Sequence, residues 1–436
     1  MVFLLNVSFI SVLRGGLGIL VLLGIAWLFS SNRKAIDWPL VAKGLALQLI
    51  LALLILKTKY VSFIFDFIGK GFLKITSFTQ YGVDFLFTPF GAEVVDNALI
   101  NFAFNVLPVI VFFSALTSML YYWGILQKVV FVFAWIMKHT MKLSGAESLA
   151  AAGNVFLGQT EAPLLVKPYL ATMTRSEMMS LMTGGMATIA GSVLAAYVTF
   201  LGGADEAERL LFTTHLLAAS IMSAPAAIVA AKILVPEKEK FNDSMSISKE
   251  KMGTNVLEAI ATGTTDGLKL AVNVGAMLLV FTAFIYMGNY ILEDIIGANL
   301  GLNEIIQANT EYSGLTFQFL MGYAFAPIAW LLGVASDDIV YVGQLLGEKT
   351  ILNEFFAYDT LGKMKKAHVF AEEKSAIMAT YMLCGFANFA SIGIQIGGIG
   401  SLAPTRKGLL SQLGVKALIG GTLASLFTAA TVGMLI

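Results

Sequence analysis

Six consecutive residues, Gly158-Gln159-Thr160-Glu161-Ala162-Pro163, place an amide, a hydroxyl and a carboxylate side by side within a strongly apolar region. Ionisable groups at membrane depth are costly and face a protein interior or a water-filled cavity. Gly158 and Pro163 predict a break in helix, with Pro163 in the first turn of a new one. A second acid, Glu354, stands in another interrupted apolar stretch, and Asn388 and Ser391 follow in the next apolar run. Together these side chains form a mixed donor–acceptor set, with Phe386 as an aromatic wall. Such a set suits an uncharged, planar, hydroxyl-rich solute better than an inorganic ion. Backbone freed at a helix break needs partners from protein, water or ligand. Helix N-termini favour anions and acceptors, and C-terminal carbonyls favour cations. Plainer roles are open to each residue. Thr188 and Ser391 fit as packing residues whose hydroxyls bond the preceding turn, Asn388 as an interhelical hydrogen bond, and Glu161 or Glu354 as the ion-pair partner of Lys167 or Lys349. Arg14, inside the first apolar run, reads as snorkelling or touching another subunit rather than binding solute.

The elements that must position these groups are set by composition. The 436 residues are 57% hydrophobic and 13% charged, against roughly 25% charged in soluble domains. This is an all-α polytopic membrane protein. Zero formal net charge argues against a nucleic-acid partner. The single cysteine, Cys384, excludes an internal disulfide framework, and no HExxH or similar metal spacing occurs. The first apolar run lacks the features of a cleaved leader and is expected to persist in the mature protein. Eight spans are predicted, each of about 20 residues: 9–30, 39–56, 101–123, 176–201, 210–235, 268–292, 376–399 and 415–436. Residues 59–75 read as an interfacial helix, with Val61, Ile64, Phe65, Ile68, Phe72 and Ile75 on the apolar face. Residues 146–170 and 315–358 are too interrupted to span simply.

The positive-inside rule puts Arg33, Lys34, the lysines of 125–145, Arg175, the lysines of 236–258, Arg406 and Lys407 in the cytoplasm. The acidic links 204–208 and 298–313 then face outward. That pattern requires the two interrupted regions to be re-entrant hairpins on opposite faces. Lys363, Lys365 and Lys366 fit it badly, landing outside. The halves match at an offset of 200: Gly185-Met186-Ala187-Thr188-Ile189-Ala190-Gly191 aligns with Gly385-Phe386-Ala387-Asn388-Phe389-Ala390-Ser391, with three identities. Each block follows an interrupted region with an embedded acid, so inverted repeats are expected, the usual plan of secondary transporters. The expected division is 1–145 (spans, interfacial helix, scaffold), 146–235 (first repeat: hairpin, broken span, span), 236–314 (charged linker and scaffold span) and 315–436 (second repeat: hairpin, broken span, span).

The chain resembles the concentrative nucleoside transporters. The resemblance rests on Gly158-Gln159-Thr160-Glu161-Ala162-Pro163-Leu164, on Asn353-Glu354-Phe355-x-Ala357-Tyr358 and on Gly385-Phe386-Ala387-Asn388, and covers nearly the whole chain. It implies eight spans, two opposed re-entrant hairpins, a homotrimer in the lipid bilayer and elevator-type movement of the paired repeats. It further implies that Gln159, Thr160 and Glu161 surround the nucleobase, that Glu354, Asn388 and Ser391 hold the ribose, and that Val193 and Phe386 form apolar walls. A sodium ion, the co-transported partner, is implied at backbone oxygens of Asn154, Leu157, Thr188 and Ile189 and at the Thr188 hydroxyl. Ala390 stands where relatives can carry a hydroxyl. The expectation is a sodium-driven symporter for nucleosides such as uridine, in a prokaryotic inner (cytoplasmic) membrane, without extra N-terminal spans. A proton-coupled nucleoside symporter is the nearest alternative, with Glu161 or Glu354 carrying the proton. An intramembrane enzyme, for which no nucleophile–base pair is evident, and a passive channel are the others.

Overall fold

The computed structural model describes residues 8–88, 102–248 and 253–436, and all regular structure within them is helical. α1 (Phe9–Leu28) and α2 (Trp38–Lys57) are apolar spans, and the Asp37 side chain caps α2 by accepting from Leu40 N–H. α3 (Lys59–Phe87) is amphipathic and extends beyond the expected 59–75. Ser62, Gly69, Thr76, Thr79 and Val83 are buried, whereas Phe63, Ile64, Phe67 and Ile68 are exposed. Small residues allow the close approach: a Cβ added at Gly69 would lie 3.0 Å from Leu210 Cδ1. Bulky apolar side chains face outward, as a lipid-exposed surface permits.

The third expected span begins at Asn101, outside the described residues, and continues as α4 (Phe102–Asn105) and α5 (Leu107–Tyr122). After α6 (Ile125–Met141) comes α7 (Gly145–Phe156), opened by a capping box between Ser144 and Glu147. Its chain stops at Leu157 and resumes as α8 (Ala162–Leu165) and α9 (Lys167–Leu170). A second capping box, Thr174 with Glu177, starts α10 (Arg175–Ala187); the helix breaks at Thr188 and continues as α11 (Gly191–Gly202). α12 (Glu206–Leu234) is continuous despite Pro225. The linker leads to α13 (Val256–Asn289), which runs into π-helical Tyr290–Gly297, and then to α14 (Leu302–Asn309). α15 (Phe317–Leu331) and α16 (Ile339–Ile351) pack together before α17 (Glu354–Lys366), α18 (Glu373–Leu383), α19 (Phe389–Leu402) and α20 (Lys407–Gly433).

Seven helical stretches among the described residues are long and apolar enough to cross a bilayer. The broken span expected over 376–399 is divided between α18 and α19 by Cys384–Asn388, so neither piece alone has spanning length. Burial sorts the rest: 89% of the apolar window of α12 is inside the molecule but only 17% of that of α13, so α12 is core and α13 is rim. Element order repeats between the halves. α7, break, α8–α9, α10, break, α11, α12 runs parallel to α16, break, α17, α18, break, α19, α20.

The basic segments read as cytoplasmic gather at one end. Ser31 N–H donates to Leu234 O at 2.9 Å, Lys138 pairs with Asp243 at 2.9 Å, Arg175 donates to Gln412, and Arg406 donates to Met173 O. The lysines that fitted badly have a local explanation: Lys365 Nζ lies 2.6 Å from Glu208, within the acidic link, and Lys363 pairs with Asp359 at 2.6 Å. Arg14 has partners within its own chain. It donates to Trp330 O at 2.8 Å and Val334 O at 2.9 Å, tying α1 to the end of α15.

Candidate functional site

Both acids lie beside helix breaks. At the first, Glu161 and Ala162 N–H groups both donate to Gly158 O at 3.0 Å, while Gly158 N–H donates to Glu161 Oε2 at 3.2 Å. The carboxylate thus closes its own turn, and Pro163 sits in the first turn of α8 as anticipated. At the second, Asn353 caps α17 by accepting from Phe356 N–H, placing Glu354 at the positive end of that helix. Asn388 caps α19 in the same manner, accepting from Ser391 N–H at 2.9 Å.

The caps are cross-linked. Asn388 Nδ2 donates to Glu354 Oε2 at 2.7 Å, and Tyr197 O–H, from α11, donates to Glu354 Oε1 at 3.3 Å. Gln159 Nε2 donates to Ser391 Oγ at 3.2 Å, and Gln395 Nε2 donates to Gln159 Oε1 at 3.1 Å and to Met182 O at 2.9 Å. One polar network therefore joins both turns and both broken helices, and each side chain is held by another, so the donors and acceptors are pre-oriented.

These residues surround one cavity of about 320 Å³. Gln159, Thr160, Glu161, Val193, Glu354, Phe386, Asn388 and Ser391 all line it. So do Ala390, which leaves its wall without a hydroxyl, and α13 residues Leu270, Asn273, Val274 and Met277. Sequence reasoning did not find the α13 wall, nor Tyr197 and Gln395. The last two lie four residues beyond Val193 and Ser391, on the same helical faces, and a polar residue inside an apolar run was the available signal.

The ion-pair alternative for Glu354 gives way, because Lys349 Nζ donates instead to Met382 O, Cys384 O and Ser425 Oγ. Asn154, Leu157, Thr188 and Ile189 sit at the adjoining ends of α7 and α10 and are buried. Leu157 and Thr188 are the C-caps of those helices, where carbonyls lose their helical partners. Asn154 Oδ1 is buried without a hydrogen-bond partner. Thr188 Oγ1 donates to Gly184 O at 2.9 Å, the packing role expected of it, and keeps its lone pairs available. The donor set is oxygen-rich and uncharged, the chemistry a hard monovalent cation takes.

Residues 215–433 match the family described as Na+ dependent nucleoside transporter C-terminus, residues 17–90 the corresponding N-terminus, and residues 103–204 a family described as nucleoside recognition. The chain is 41% identical over 432 residues to an uncharacterized transporter of Haemophilus influenzae, covering 98% of each chain. It is 40% identical over 434 residues to sodium/nucleoside cotransporter 1 of Rattus norvegicus, covering 96% of this chain but only 63% of that longer protein. Among solved structures, it is similar to CNTnw in an inward-facing substrate-bound state, with TM-score 0.84 and 36% identity over 97% of this chain and 98% of that one. A double variant of CNTnw in an outward-facing state gives TM-score 0.86 and 35% identity over 98% of each chain. The relatives are transporters rather than enzymes, and the chain belongs to the Na+-dependent nucleoside transporter family.

Proposed function

We propose that the protein imports nucleosides across a cytoplasmic membrane, driven by a sodium gradient. The observation that carries this is the single cavity whose wall unites Gln159–Glu161, Glu354 and Asn388–Ser391 through one hydrogen-bond network. Ribose presents neighbouring hydroxyls; the Glu354 carboxylate accepts from them while the amide of Asn388 holds it in place. Ser391 adds a further hydroxyl. Gln159, Thr160 and Glu161 face the base, directly or through water, between the apolar walls of Val193 and Phe386. The names of the family and of the rat relative support both solute and ion.

Sodium fits at Asn154, Leu157, Thr188 and Ile189, where Asn154 Oδ1 has no other partner. Sodium held by Leu157 O fixes the residue directly before the Gly158 turn. That turn presents Gln159, Thr160 and Glu161 to the solute, so each ligand stabilises the other's site. Coupling between linked sites is typically about 1–3 kcal/mol.

At larger scale, we read eight spans, with α18 and α19 together forming one of them, and two opposed re-entrant hairpins, the first at 146–170 as expected and the second at α16–α17 (339–366) rather than over the expected 315–358. α3 lies in the membrane interface. The repeats 146–235 and 315–436 move as an elevator against a trimeric scaffold containing α13. Support comes from the low burial of α13 and from the inward-facing, outward-facing and intermediate states named for CNTnw. The test is uridine uptake into proteoliposomes with sodium and proton gradients imposed separately. Uphill accumulation is expected with sodium alone. Accumulation with protons alone would assign the coupling to Glu161 or Glu354 instead, and mere equilibration would indicate a passive channel.

A further inference from the structure

Lys349 is fully buried in the second repeat, on α16, and takes no part in the solute cavity. Its ammonium donates to Met382 O at 2.9 Å, Cys384 O at 2.9 Å and Ser425 Oγ at 3.1 Å. Three donors meet three oxygens, so the group is fully satisfied without a carboxylate among its partners. Charge at this depth is balanced by the carbonyl end of α18, whose C-cap is Cys384.

The position of that ammonium follows from the repeat. In the first half, α7 ends at C-cap Leu157 and α10 at C-cap Thr188. In the second, α16 ends at C-cap Leu352 and α18 at C-cap Cys384. Asn154 lies three residues before its cap, and Lys349 lies three residues before the matching one. Matched by helix end rather than by the offset of 200, which pairs Thr188 with Asn388, Cys384 takes the place of Thr188. The oxygen that Lys349 reaches on Cys384 therefore corresponds to the Thr188 oxygen in the sodium site described above. Where the first half has an amide with an unpartnered oxygen, Asn154 Oδ1, the second has an ammonium bonded to the facing helix end.

We propose that Lys349 is a built-in cation occupying the second repeat's counterpart of the sodium site, so that one sodium, not two, accompanies each nucleoside, and that removing this ammonium opens a second cation site. The inference rests on the placement of sodium in the first repeat. It also explains an asymmetry of the site. On this reading an arriving ion adds a tie at the first hairpin's tip, whereas the second, carrying Glu354 five residues after Lys349, already has its ammonium in place. One tip responds to sodium and the other is a fixed half of the solute site.

The experiment measures sodium activation and charge moved per uridine in proteoliposomes of defined membrane potential. Wild type is expected to move one positive charge per uridine with a Hill coefficient of one. Lys349→Asn, which supplies the residue type found at Asn154, is expected to raise both values to two. Lys349→Met, neutral and of similar length, is expected to show a larger sodium-dependent rise in melting temperature than wild type, with choline as the control; this reading needs only purified protein. Two charges per uridine in wild type would overturn the inference even if neither variant assembles. Unchanged stoichiometry in an active Lys349→Asn, or a sodium response of Lys349→Met equal to that of wild type, would overturn it as well. Uptake by wild type that ignores sodium would instead remove the underlying sodium-site reading, and is thereby distinguishable.

Discussion

At the residue scale, the site depends on carboxylates and amides that hold one another. Glu354 accepts from Asn388 and Tyr197 within the cavity wall. Glu354→Gln removes the charge and turns one acceptor into a donor facing Asn388 Nδ2. Hydrogen bonds to charged groups contribute about 1.5–3 kcal/mol, so uridine affinity is expected to fall roughly tenfold to a hundredfold. Titration calorimetry checks this, and wild-type affinity would count against a ribose-binding role. Thr188 serves two readings at once, since its hydroxyl bonds Gly184 O and the residue is the C-cap of α10. Thr188→Ala should cost only about 0.5–1.5 kcal/mol of stability while markedly raising the sodium concentration needed for half-maximal uptake. Unchanged sodium activation would leave Thr188 as a packing residue alone. Glu161, Glu354 and Asn388 were legible in the sequence because polar groups are rare in apolar runs. Asn273 was not, since nothing in α13 interrupts the helix near it.

At the element scale, two contacts hold the broken helices in register. Gly385 has φ +93°, and a Cβ there would lie 2.5 Å from Met186 O and 2.6 Å from the Ala187 carbonyl carbon. The α10 and α18 breaks thus meet backbone to backbone. Gly385→Ala combines that clash with about 1–3 kcal/mol of backbone strain, and is expected to abolish uridine uptake and lower the melting temperature. Retained uptake would show that this approach is dispensable. Lys232, on α12, is 2.5 Å from Glu147 on α7 and also donates to Ser176 on α10. Lys232→Met leaves Glu147 as an uncompensated buried charge, a loss of about 3–5 kcal/mol, read as a large drop in melting temperature in detergent. The breaks around Gly158 and Pro163 could be read because proline marks them. Between α18 and α19 no proline does, and Gly385 is one glycine among 41, so the break there was legible only through the repeat that pairs it with the first half. On α3 the apolar face read from the sequence is largely turned away from the molecule, Ile64 and Ile68 included, and the small residues Ser62 and Gly69 make the contact with it.

At the scale of the whole molecule, two halves of matching element order each place two helix breaks around one cavity. The charge pattern that oriented the spans is consistent with the contacts found, and Lys365 against Glu208 accounts for basic residues beside an acidic link. Function then turns on whether the α7–α10 helix ends and the solute cavity are energetically linked, given that only the Gly158 turn separates them. The most direct test is uridine binding to the purified protein in sodium and in choline. Coupling of about 1–3 kcal/mol predicts a dissociation constant roughly 5–150-fold lower in sodium, with uridine lowering the apparent sodium constant by the same factor. Equal uridine affinity in the two salts would contradict coupling through this turn.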